Sequence, residues 1–423
     1  VEVLRDGAAA QYGSDAVAGV INFVLNDSAE GGSLKVKQGQ FSEGDGDTTV
    51  VMGNFGMPLT DAGFMNISFQ MKDNEATSRS VQRPDAQALI DAGNNTVTRP
   101  AQIWGAPIID DDVTFFFNSG LDLGNGGKAY MFGNYSERDI DGGFYYRNPD
   151  GRGGVFTTTS NNGTPDDDDD DFDIRLIADV TGDCPYNTSD EILPSDYATR
   201  DAIIANPNCY LLNQAAPGGY TPRFVGNITD SSFTMGRSGE LAAGPLAGTS
   251  FDVSGSVGRN EASFGLNNTF NPSMGPDSPR NFETGSYIQL AKTFNVDMSK
   301  EYGSTSVAYG YEWRETTFSV ISGEESSWVA GPYATQGFNV GSHGFAGFSP
   351  DSAGAFSRRN YAVYGDVSNQ VSDDLLVQGA LRYENYSSGL DTTNYKLAFN
   401  YQLTDDLALR GSHSTGFRAP TQG

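Results

Sequence analysis

Residues 394–403 read Asn-Tyr-Lys-Leu-Ala-Phe-Asn-Tyr-Gln-Leu, and large apolar side chains occupy every second position. Neighbouring side chains of a β-strand point to opposite faces, so this period of two predicts a strand with one apolar and one polar face. The same alternation recurs at residues 65–72, 306–314 and 375–384. About thirteen candidate strands can be counted along the chain, and they predict an all-β, antiparallel fold.

Composition narrows the class of protein. The chain of 423 residues carries 26 Lys and Arg against 54 Asp and Glu, which gives a formal net charge of −28. Nucleic acids are bound by basic surfaces, so we expect no nucleic-acid partner. Glycine (52 residues) and aromatic residues (12%) are abundant, as in proteins with many strands and turns. No apolar run reaches the roughly 18 residues of a membrane helix, but barrel strands alternate and would not form such a run.

The predicted connections between strands alternate between short and long. Short polar turns are predicted at residues 58–63, 124–127, 371–374 and 403–406, and longer loops at residues 80–111, 139–230, 263–282 and 320–356. Two further loops, near residues 42–47 and 388–391, are short. Tight turns on one side and long loops on the other are typical of outer-membrane barrels, whereas the strand alternation alone fits a soluble sandwich equally well.

The strand count and the first residue both predict an incomplete barrel. A closed bacterial barrel normally has an even number of strands, and thirteen strands would leave an open edge. The chain also starts at Val1, without Met and without a charged-then-apolar leader. We therefore expect a fragment or a processed piece of a longer protein.

Two stretches carry a resemblance to a known family. Residues 1–22 read VEVLRDGAAAQYGSDAVAGVIN, and they closely resemble the end of the plug domain of TonB-dependent outer-membrane receptors. Residues 409–421 read LRGSHSTGFRAPT and resemble the strand in the middle of that family's barrel that runs into an outer loop. The plug-motif positions are Arg5, Gly7, Tyr12, Gly13, Gly19 and Asn22.

The resemblance implies an antiparallel transmembrane β-barrel of about 22 strands closed by an N-terminal plug, with about 13 strands in this chain. Residues 1–26 would be the C-terminal end of the plug domain. Residues 27–423 would be a partial outer-membrane β-barrel with long extracellular loops, of which 139–230 is the longest. Residues 403–406 would then lie in the periplasm.

The resemblance also implies a function. Receptors of this family actively take up scarce, bulky nutrients with energy from the TonB–ExbB–ExbD complex, which contacts a segment ahead of the plug. We expect a ferric siderophore as the small-molecule ligand, with an oligosaccharide or cobalamin as the alternative. The expected setting is the lipid of the bacterial outer membrane, with the protein as a monomer and without a cofactor. The ligand-contacting residues are not assigned.

Two other classes of function were weighed against this one. A passive porin or adhesin barrel would lack a plug, and the motif at residues 1–22 argues against it. A surface barrel enzyme would need a nucleophile and a base, but no catalytic motif is present, so we expect no enzyme activity. The Phe417–Pro420 stretch also resembles a box of haem receptors, but His343 and His413 are the only histidines available as iron ligands.

Six consecutive aspartates occupy positions 166 to 171. Hard divalent cations prefer carboxylate oxygens, which makes Asp166, Asp168 and Asp170 weak metal-site candidates. Their spacing does not match a calcium-binding loop, and contiguous like charges usually remain solvated. We therefore favour a disordered acidic outer loop and predict no metal site.

Cys184 and Cys209 are the only cysteines, and both fall in the loop at residues 139–230. Because the periplasm and the cell surface permit disulfides, we favour a Cys184–Cys209 bridge over two free thiols. A bridge closing about 25 residues would stabilise the loop by about 3–4 kcal/mol in the chain-entropy model.

The alternation also places charged side chains on the polar face of the strands. Arg and Lys cost about 2–4 kcal/mol each on a lipid-facing surface at mid-depth, so these side chains are expected to face the lumen. Arg5 of the plug tail would need acceptors there, and Glu312 and Glu384 are candidates for a plug–barrel latch. Pairing of Arg5 within the plug, with Glu2 or Asp15, is the alternative. The inward set comprises Glu312, Arg314, Arg382, Glu384, Lys396 and Arg410.

Overall fold

The fold was analysed in a computed structural model, which describes residues 1–4, 9–13, 16, 19–160 and 171–422. The three α-helices are α1 (Ala9–Tyr12), α2 (Pro84–Asp91) and α3 (Tyr197–Ile204). Short 3₁₀ helices occur at Thr188–Asp190, Leu212–Gln214, Pro272–Asp277, Glu325–Ser327, Ala334–Gln336 and Pro350–Ser352. The strands in chain order are β1 (Glu2–Leu4), β2 (Val20–Asn22), β3 (Gly32–Gly39), β4 (Thr48–Thr60), β5 (Gly63–Asn74), β6 (Ile108–Gly124), β7 (Gly127–Gly143), β8 (Thr157–Ser160), β9 (Phe172–Arg175), β10 (Ala178–Asp179), β11 (Cys209–Tyr210), β12 (Arg223–Glu240), β13 (Ser250–Asn267), β14 (Phe282–Tyr302), β15 (Thr305–Ser322), β16 (Gly354–Ser372), β17 (Leu375–Tyr386), β18 (Asp391–Thr404) and β19 (Leu407–Ser414).

Thirteen of these strands form one antiparallel sheet. Each strand pairs with its neighbours in chain order from β3 to β7 and from β12 to β19, and β7 pairs with β12 across the longest loop. The sheet is open, with β3 and β19 as its edges. The predicted thirteen strands and the predicted incomplete antiparallel barrel are both confirmed.

The two faces of the sheet differ as the period of two predicts. Arg382 on β17 is 1% exposed, whereas its neighbour Leu381 is 56% exposed. On β18, Lys396 is 5% exposed and Leu397 is 60% exposed. Paired residues of antiparallel strands share a face, and Ala380 pairs with Lys396. One face of the sheet is therefore polar and partly covered, and the other is apolar and open, as a lipid-facing wall requires.

The connections separate into two edges of the sheet, which confirms the predicted alternation. One edge carries the turns at residues 60–63, 124–127, 240–250, 302–305, 372–375 and 404–407. The other carries long loops at residues 74–108, 143–223, 267–282 and 322–354, together with shorter ones at 39–48 and 386–391. Among the described residues, no helix is long and apolar enough to cross a membrane.

The long loops pack on one another to form a cap with its own apolar core. The largest buried cluster combines Phe156 and Tyr220 of loop 143–223 with Phe270 of loop 267–282 and Phe338 of loop 322–354. A second cluster surrounds Ala86 and Leu89 of α2. Because these side chains come from separate loops, the cap is one packed unit of the folded chain.

The N-terminal segment lies against the polar face. β1 pairs with β2, and the side-chain amide of Asn22 donates a hydrogen bond of 2.8 Å to the Glu2 carboxylate. The apolar run at residues 20–25 predicts a strand, and β2 is shorter than this run and ends at Asn22. α1 contacts β16, β17 and β18, and a Cβ atom at Gly13 would lie 3.8 Å from the Arg382 guanidinium. Gly13 has a φ of +102°, which favours glycine at this position of the motif.

Candidate functional site on the polar face

A cluster of charged side chains crosses three strands on the polar face. Glu312 pairs in register with Ala362, and Ala362 pairs with Glu384. Because Ala362 is small and 1% exposed, the Arg382 guanidinium reaches both carboxylates, at 3.0 Å from Glu312 and 2.5 Å from Glu384. Arg314 binds the second oxygen of Glu312 at 3.0 Å. The cluster therefore satisfies an arginine and a glutamate that are each 1% exposed.

The structure bears on only half of the predicted plug–barrel latch. It brings Glu312 and Glu384 together on the polar face, as the alternation predicts, but Arg382 binds both of them. Arg5 and Gly7 lie outside the described residues, so the latch stays a prediction. Of the other motif positions, Tyr12 is exposed and Gly19 has a φ of +151°.

For two members of this cluster, the sequence did not predict the contacts with the glutamates. Arg382 was placed on the inward face but was not paired with either glutamate. The Tyr386 hydroxyl donates a hydrogen bond to the Glu384 carboxylate, and Tyr386 is 6% exposed. The signal was available, because residues 382, 384 and 386 share one face of a strand. The pairing across β15, β16 and β17 needed the register, which the sequence does not reveal.

A cavity of about 1060 Å³ adjoins the cluster near the long-loop edge of the sheet. It lies on the polar face of β14, β15, β16 and β17 and is bounded by the segment at residues 418–422 and by Gly13. Its lining includes Glu384, whose carboxylate is bound by Arg382, together with cationic and aromatic side chains. These are Arg314, Arg358, Arg418, Tyr287, Phe318, Phe356 and Tyr386.

Two of the cavity arginines have no carboxylate partner among the residues that the structure describes. The Arg358 guanidinium lies 5.4 Å from the centre of the Tyr386 ring and donates a hydrogen bond of 2.5 Å to the Pro420 carbonyl. Arg418 is exposed. Within the described part of the chain, neither arginine has a carboxylate oxygen within 4.0 Å. The cavity therefore carries positive charge in a protein whose net charge is strongly negative.

Aromatic rings form one wall of this region. The Tyr287 ring is stacked on Phe348 at 4.8 Å and lies 5.3 Å from Phe318. The glycine- and aromatic-rich composition of the loop at residues 328–348 fits either a surface that stacks on a ligand or rings that pack on one another. Phe345 packs against Phe224 and Phe348, and Phe338 is 3% exposed, so these rings mainly pack on other protein rings.

The metal and haem candidates do not gain support from the described residues. Asp166, Asp168 and Asp170 lie outside them. In the part of the chain that the structure describes, no group of three or more His, Cys, Asp or Glu side chains could hold a metal ion. His343 is buried in the cap against Tyr220, whereas His413 lies on β19 and stacks on Tyr395 at 5.6 Å.

Cys184 and Cys209 are joined by a disulfide, with their Cα atoms 5.1 Å apart. The bridge closes the segment that contains α3, and Cys209 packs with Ile177, Ile203 and Leu211. The bridge therefore ties a small apolar cluster at the outer end of loop 143–223.

The sheet and its loop cap define an incomplete barrel of the outer-membrane receptor type, and comparison with known families gives the same result. The family model of the TonB-dependent receptor-like β-barrel matches residues 185–423, which is more than half of the chain. The chain belongs to the TonB-dependent receptor family. A search of the curated proteins found no match at the threshold used.

Solved structures of this fold resemble the chain at low sequence identity. The siderophore receptor PirA from Acinetobacter baumannii has a TM-score of 0.56 at 15% identity, over 99% of this chain and 48% of that one. A variant of the ferric enterobactin receptor PfeA from Pseudomonas aeruginosa, in complex with enterobactin, has a TM-score of 0.55 at 13% identity, over 99% and 49%. The FrpB iron transporter from Neisseria meningitidis has a TM-score of 0.53 at 12% identity, over 99% and 53%. The chain thus spans about half the length of these structures, and the likeness shows the fold.

Proposed function

We propose that the chain is part of an outer-membrane receptor that takes up a ferric siderophore by TonB-dependent active transport. Residues 1–26 would be the end of its plug domain and residues 27–423 part of its barrel. The TonB–ExbB–ExbD complex would supply energy through the N-terminal part of the plug. The protein would work as a monomer in the outer-membrane lipid, with loop 143–223 outside the cell.

The observation that carries this proposal is the arginine-lined cavity on the polar face. Many iron chelates are bulky anions, and the cavity volume of about 1060 Å³ suits a ligand of that size. Arg358 and Arg418 offer guanidinium donors that no carboxylate of the described residues occupies. Guanidinium groups recognise carboxylate-type oxygens through two parallel hydrogen bonds, and they also stack on rings.

The chemistry of the cavity walls favours a siderophore over the other nutrients considered. A neutral oligosaccharide would not use the positive charge of Arg358 and Arg418. The names of two structural neighbours, a siderophore receptor and a ferric enterobactin receptor, agree with an iron-chelate ligand. These neighbours are distant in sequence, so the cavity provides the stronger argument.

Growth of a deletion strain would test the ligand class. The strain would be supplied with a panel of iron sources and a panel of glycans, with and without the intact receptor gene and in the presence or absence of TonB. Receptor- and TonB-dependent growth on one or more ferric siderophores is the expected result. Growth that depends on the receptor only for a glycan would contradict the proposal.

Variants of the full-length receptor would connect that growth to the cavity. Loss of a charge-assisted hydrogen bond costs about 1.5–3 kcal/mol, so Arg358→Ala and Arg418→Ala should each weaken siderophore binding by about 10-fold to 100-fold. Arg359→Ala is the matched control, because Arg359 lies on the opposite face of the same strand and binds Glu315. If Arg358→Ala and Arg359→Ala weaken siderophore binding equally, the cavity is not the binding site.

A further inference from the structure

A second group of arginines, which have no carboxylate partner among the described residues, lies in the loop cap, apart from the cavity on the polar face. Arg147 and Arg152 come from loop 143–223 and flank His343 of loop 322–354. Arg280 of loop 267–282 lies over the Phe270 ring at 4.2 Å. The charges of all three arginines act on the Tyr220 hydroxyl, so two loops contribute arginines to one cationic region and a third loop adds His343.

Arg147 is the most deeply placed of these cations. It is 3% exposed, and its main chain forms a β-bridge with Tyr220. Its guanidinium lies 5.2 Å from the centre of the Phe144 ring, and within the described residues its buried Nε atom has no hydrogen-bond partner. Burial and the Arg152 charge lower the pKa of Arg147 to about 10. A buried cation without a partner is costly, and the usual remedy is an anion.

The carboxylates nearest in sequence are already used by other cations. Asp150 binds Arg175 at 3.1 Å and accepts a hydrogen bond from the Tyr197 hydroxyl. No carboxylate oxygen lies within 4.0 Å of Arg147 or Arg152 in the described ranges, although the chain has 54 acidic residues. The absence of a counter-charge is therefore local to this part of the cap.

His343 supplies a neutral hydrogen-bonding surface between the two arginines. The Arg152 Nε–H donates to His343 Nε2 at 3.4 Å, so the ring proton of neutral His343 lies on Nδ1, 3.1 Å from the Tyr220 hydroxyl oxygen. Burial, followed by the Arg147 and Arg152 charges, lowers the pKa of His343 to about 3. The imidazole therefore adds no third positive charge at neutral pH.

A glycine lies next to the Arg147 guanidinium. Gly344 is exposed and has a φ of +128°, and a Cβ atom there would lie 3.5 Å from Arg147 Nη2. Any larger residue would adopt a strained backbone and would cover the guanidinium. Arg147 is thus buried over Phe144, and the exposed groups beside it are Gly344 and Arg152.

From these contacts we propose that Arg147 and Arg152 form an anion site in the loop cap, with Arg280 adding positive potential, and that its ligand carries a phosphate-type oxyanion. Two or three uncompensated positive charges favour an anion of charge close to −2 over a single carboxylate. The planar guanidinium groups match the geometry of phosphate oxygens. The site is separate from the cavity proposed for the siderophore and does not depend on which nutrient is transported.

His343 offers a direct readout, because the chain has only two histidines. The full-length receptor would carry ¹⁵N-labelled histidine and the substitution His413→Gln, and would be titrated in detergent micelles with inorganic phosphate at constant ionic strength. Phosphate between the arginines should shift the His343 ring resonances in a saturable way and raise its pKa. A linear response, or the same response to chloride, would overturn the proposal.

Matched variants show which arginines bind the phosphate. Arg152→Gln removes an exposed cation and should weaken phosphate binding by about 10-fold or more, with Arg280→Gln giving a smaller loss. Arg200→Gln in the same loop is the control, because Arg200 is already paired with Asp201 at 2.7 Å. Arg147→Gln is informative only if the cap stays folded, so the proposal is judged on the two exposed arginines. Equal binding by Arg152→Gln and Arg200→Gln would refute it.

Two further arms identify the source of the anion. A phosphorylated lipid in mixed micelles would act at lower concentration than inorganic phosphate if a lipid headgroup is the natural ligand, and at higher concentration if a soluble phosphate compound is. Either result supports the site. A response that appears only after Asp166, Asp168 and Asp170 are replaced by Asn would mean that the chain's own acidic run occupies the site, and the proposed external ligand would be wrong.

Discussion

The Arg382 side chain links different strands of the barrel wall. Its guanidinium binds glutamates from β15 and β17. The small Ala362 lies between these glutamates, so both carboxylates are within reach of the guanidinium. The sequence placed Arg382 on the inward face because alternation follows from backbone geometry. Its two partners depend on register over three strands, and no local pattern encodes that.

Removing Arg382 should destabilise the protein strongly. Arg382→Met would leave the buried Glu384 and the half-buried Glu312 without their shared cation, and breaking a buried pair in this way costs about 3–5 kcal/mol. Urea unfolding of the full-length receptor in detergent would measure the loss. Arg200→Met in loop 143–223 is the control and should change the midpoint little, because its partner Asp201 is exposed to solvent. Comparable losses for the two variants would contradict the role given to the Arg382 cluster.

The latch prediction can now be made more specific. Because Arg382 already binds Glu312 and Glu384, Arg5 would be an additional partner of a carboxylate cluster and not its sole cation. Arg5→Gln should therefore loosen the plug while costing the barrel less stability than Arg382→Met. Protease access to the plug, compared with urea unfolding of the same samples, separates the two effects. Unchanged plug protection in Arg5→Gln would favour pairing within the plug.

His343 predicts a pH dependence that is confined to the cap. Its pKa is about 3 in the folded protein, facing Tyr220, Arg147 and Arg152, against about 6.5 in an unfolded chain. Below pH 6.5 His343 is protonated in the unfolded state but stays neutral in the folded state down to about pH 3. The free energy of unfolding of the cap therefore falls by about 1.4 kcal/mol for each pH unit between pH 6.5 and pH 3. Hydrogen exchange of residues 323–353 should show this loss in the wild type and in His413→Gln. If His343→Gln retains the same slope, another group is responsible.

Among the secondary-structure elements, the strands and the lengths of their connections were predictable, and the packing of the long loops was not. The period of two fixed the faces of β17 and β18, and polar turn residues marked the short edge. The cap could not be derived in this way, because its core joins Tyr220, Phe270 and Phe338 from three separate loops. The cavity likewise needs the register of four neighbouring strands. The arginines that line it were visible in the sequence, but nothing in the pattern brought Arg314, Arg358 and Arg418 together.

The disulfide constrains one segment of loop 143–223, and its presence can be tested chemically. Cys184 and Cys209 close the segment around α3, and the expected stabilisation of that segment is about 3–4 kcal/mol. Mass spectrometry of a non-reduced digest should find the two cysteine peptides linked. Cys184→Ser with Cys209→Ser should then raise hydrogen exchange in α3 and leave the sheet unchanged. Two thiols that react with an alkylating reagent in the oxidised protein would argue against the bridge.

For the whole molecule, the separation of long loops from short turns predicts its orientation in the membrane. Loop 143–223 should face the outside and the turn at residues 404–407 the periplasm. Single cysteines at Asp201 and Asp405, each introduced into a Cys184→Ser, Cys209→Ser background of the full-length receptor, would be labelled in intact cells with a membrane-impermeant maleimide. Only the cysteine at position 201 should react before the outer membrane is permeabilised. Labelling at position 405 alone would reverse the topology.

The packed cap also dictates an order of events during biogenesis. Its core takes rings from loops that are separated along the chain by the hairpins β12–β13 and β14–β15. None of these loops can bury its aromatic rings alone, and the closing contacts span more than a hundred residues of sequence. Contacts of that kind form late in folding. The rings must therefore remain exposed until the intervening hairpins are paired. During that interval the exposed loops can aggregate, and the assembly machinery has to prevent this.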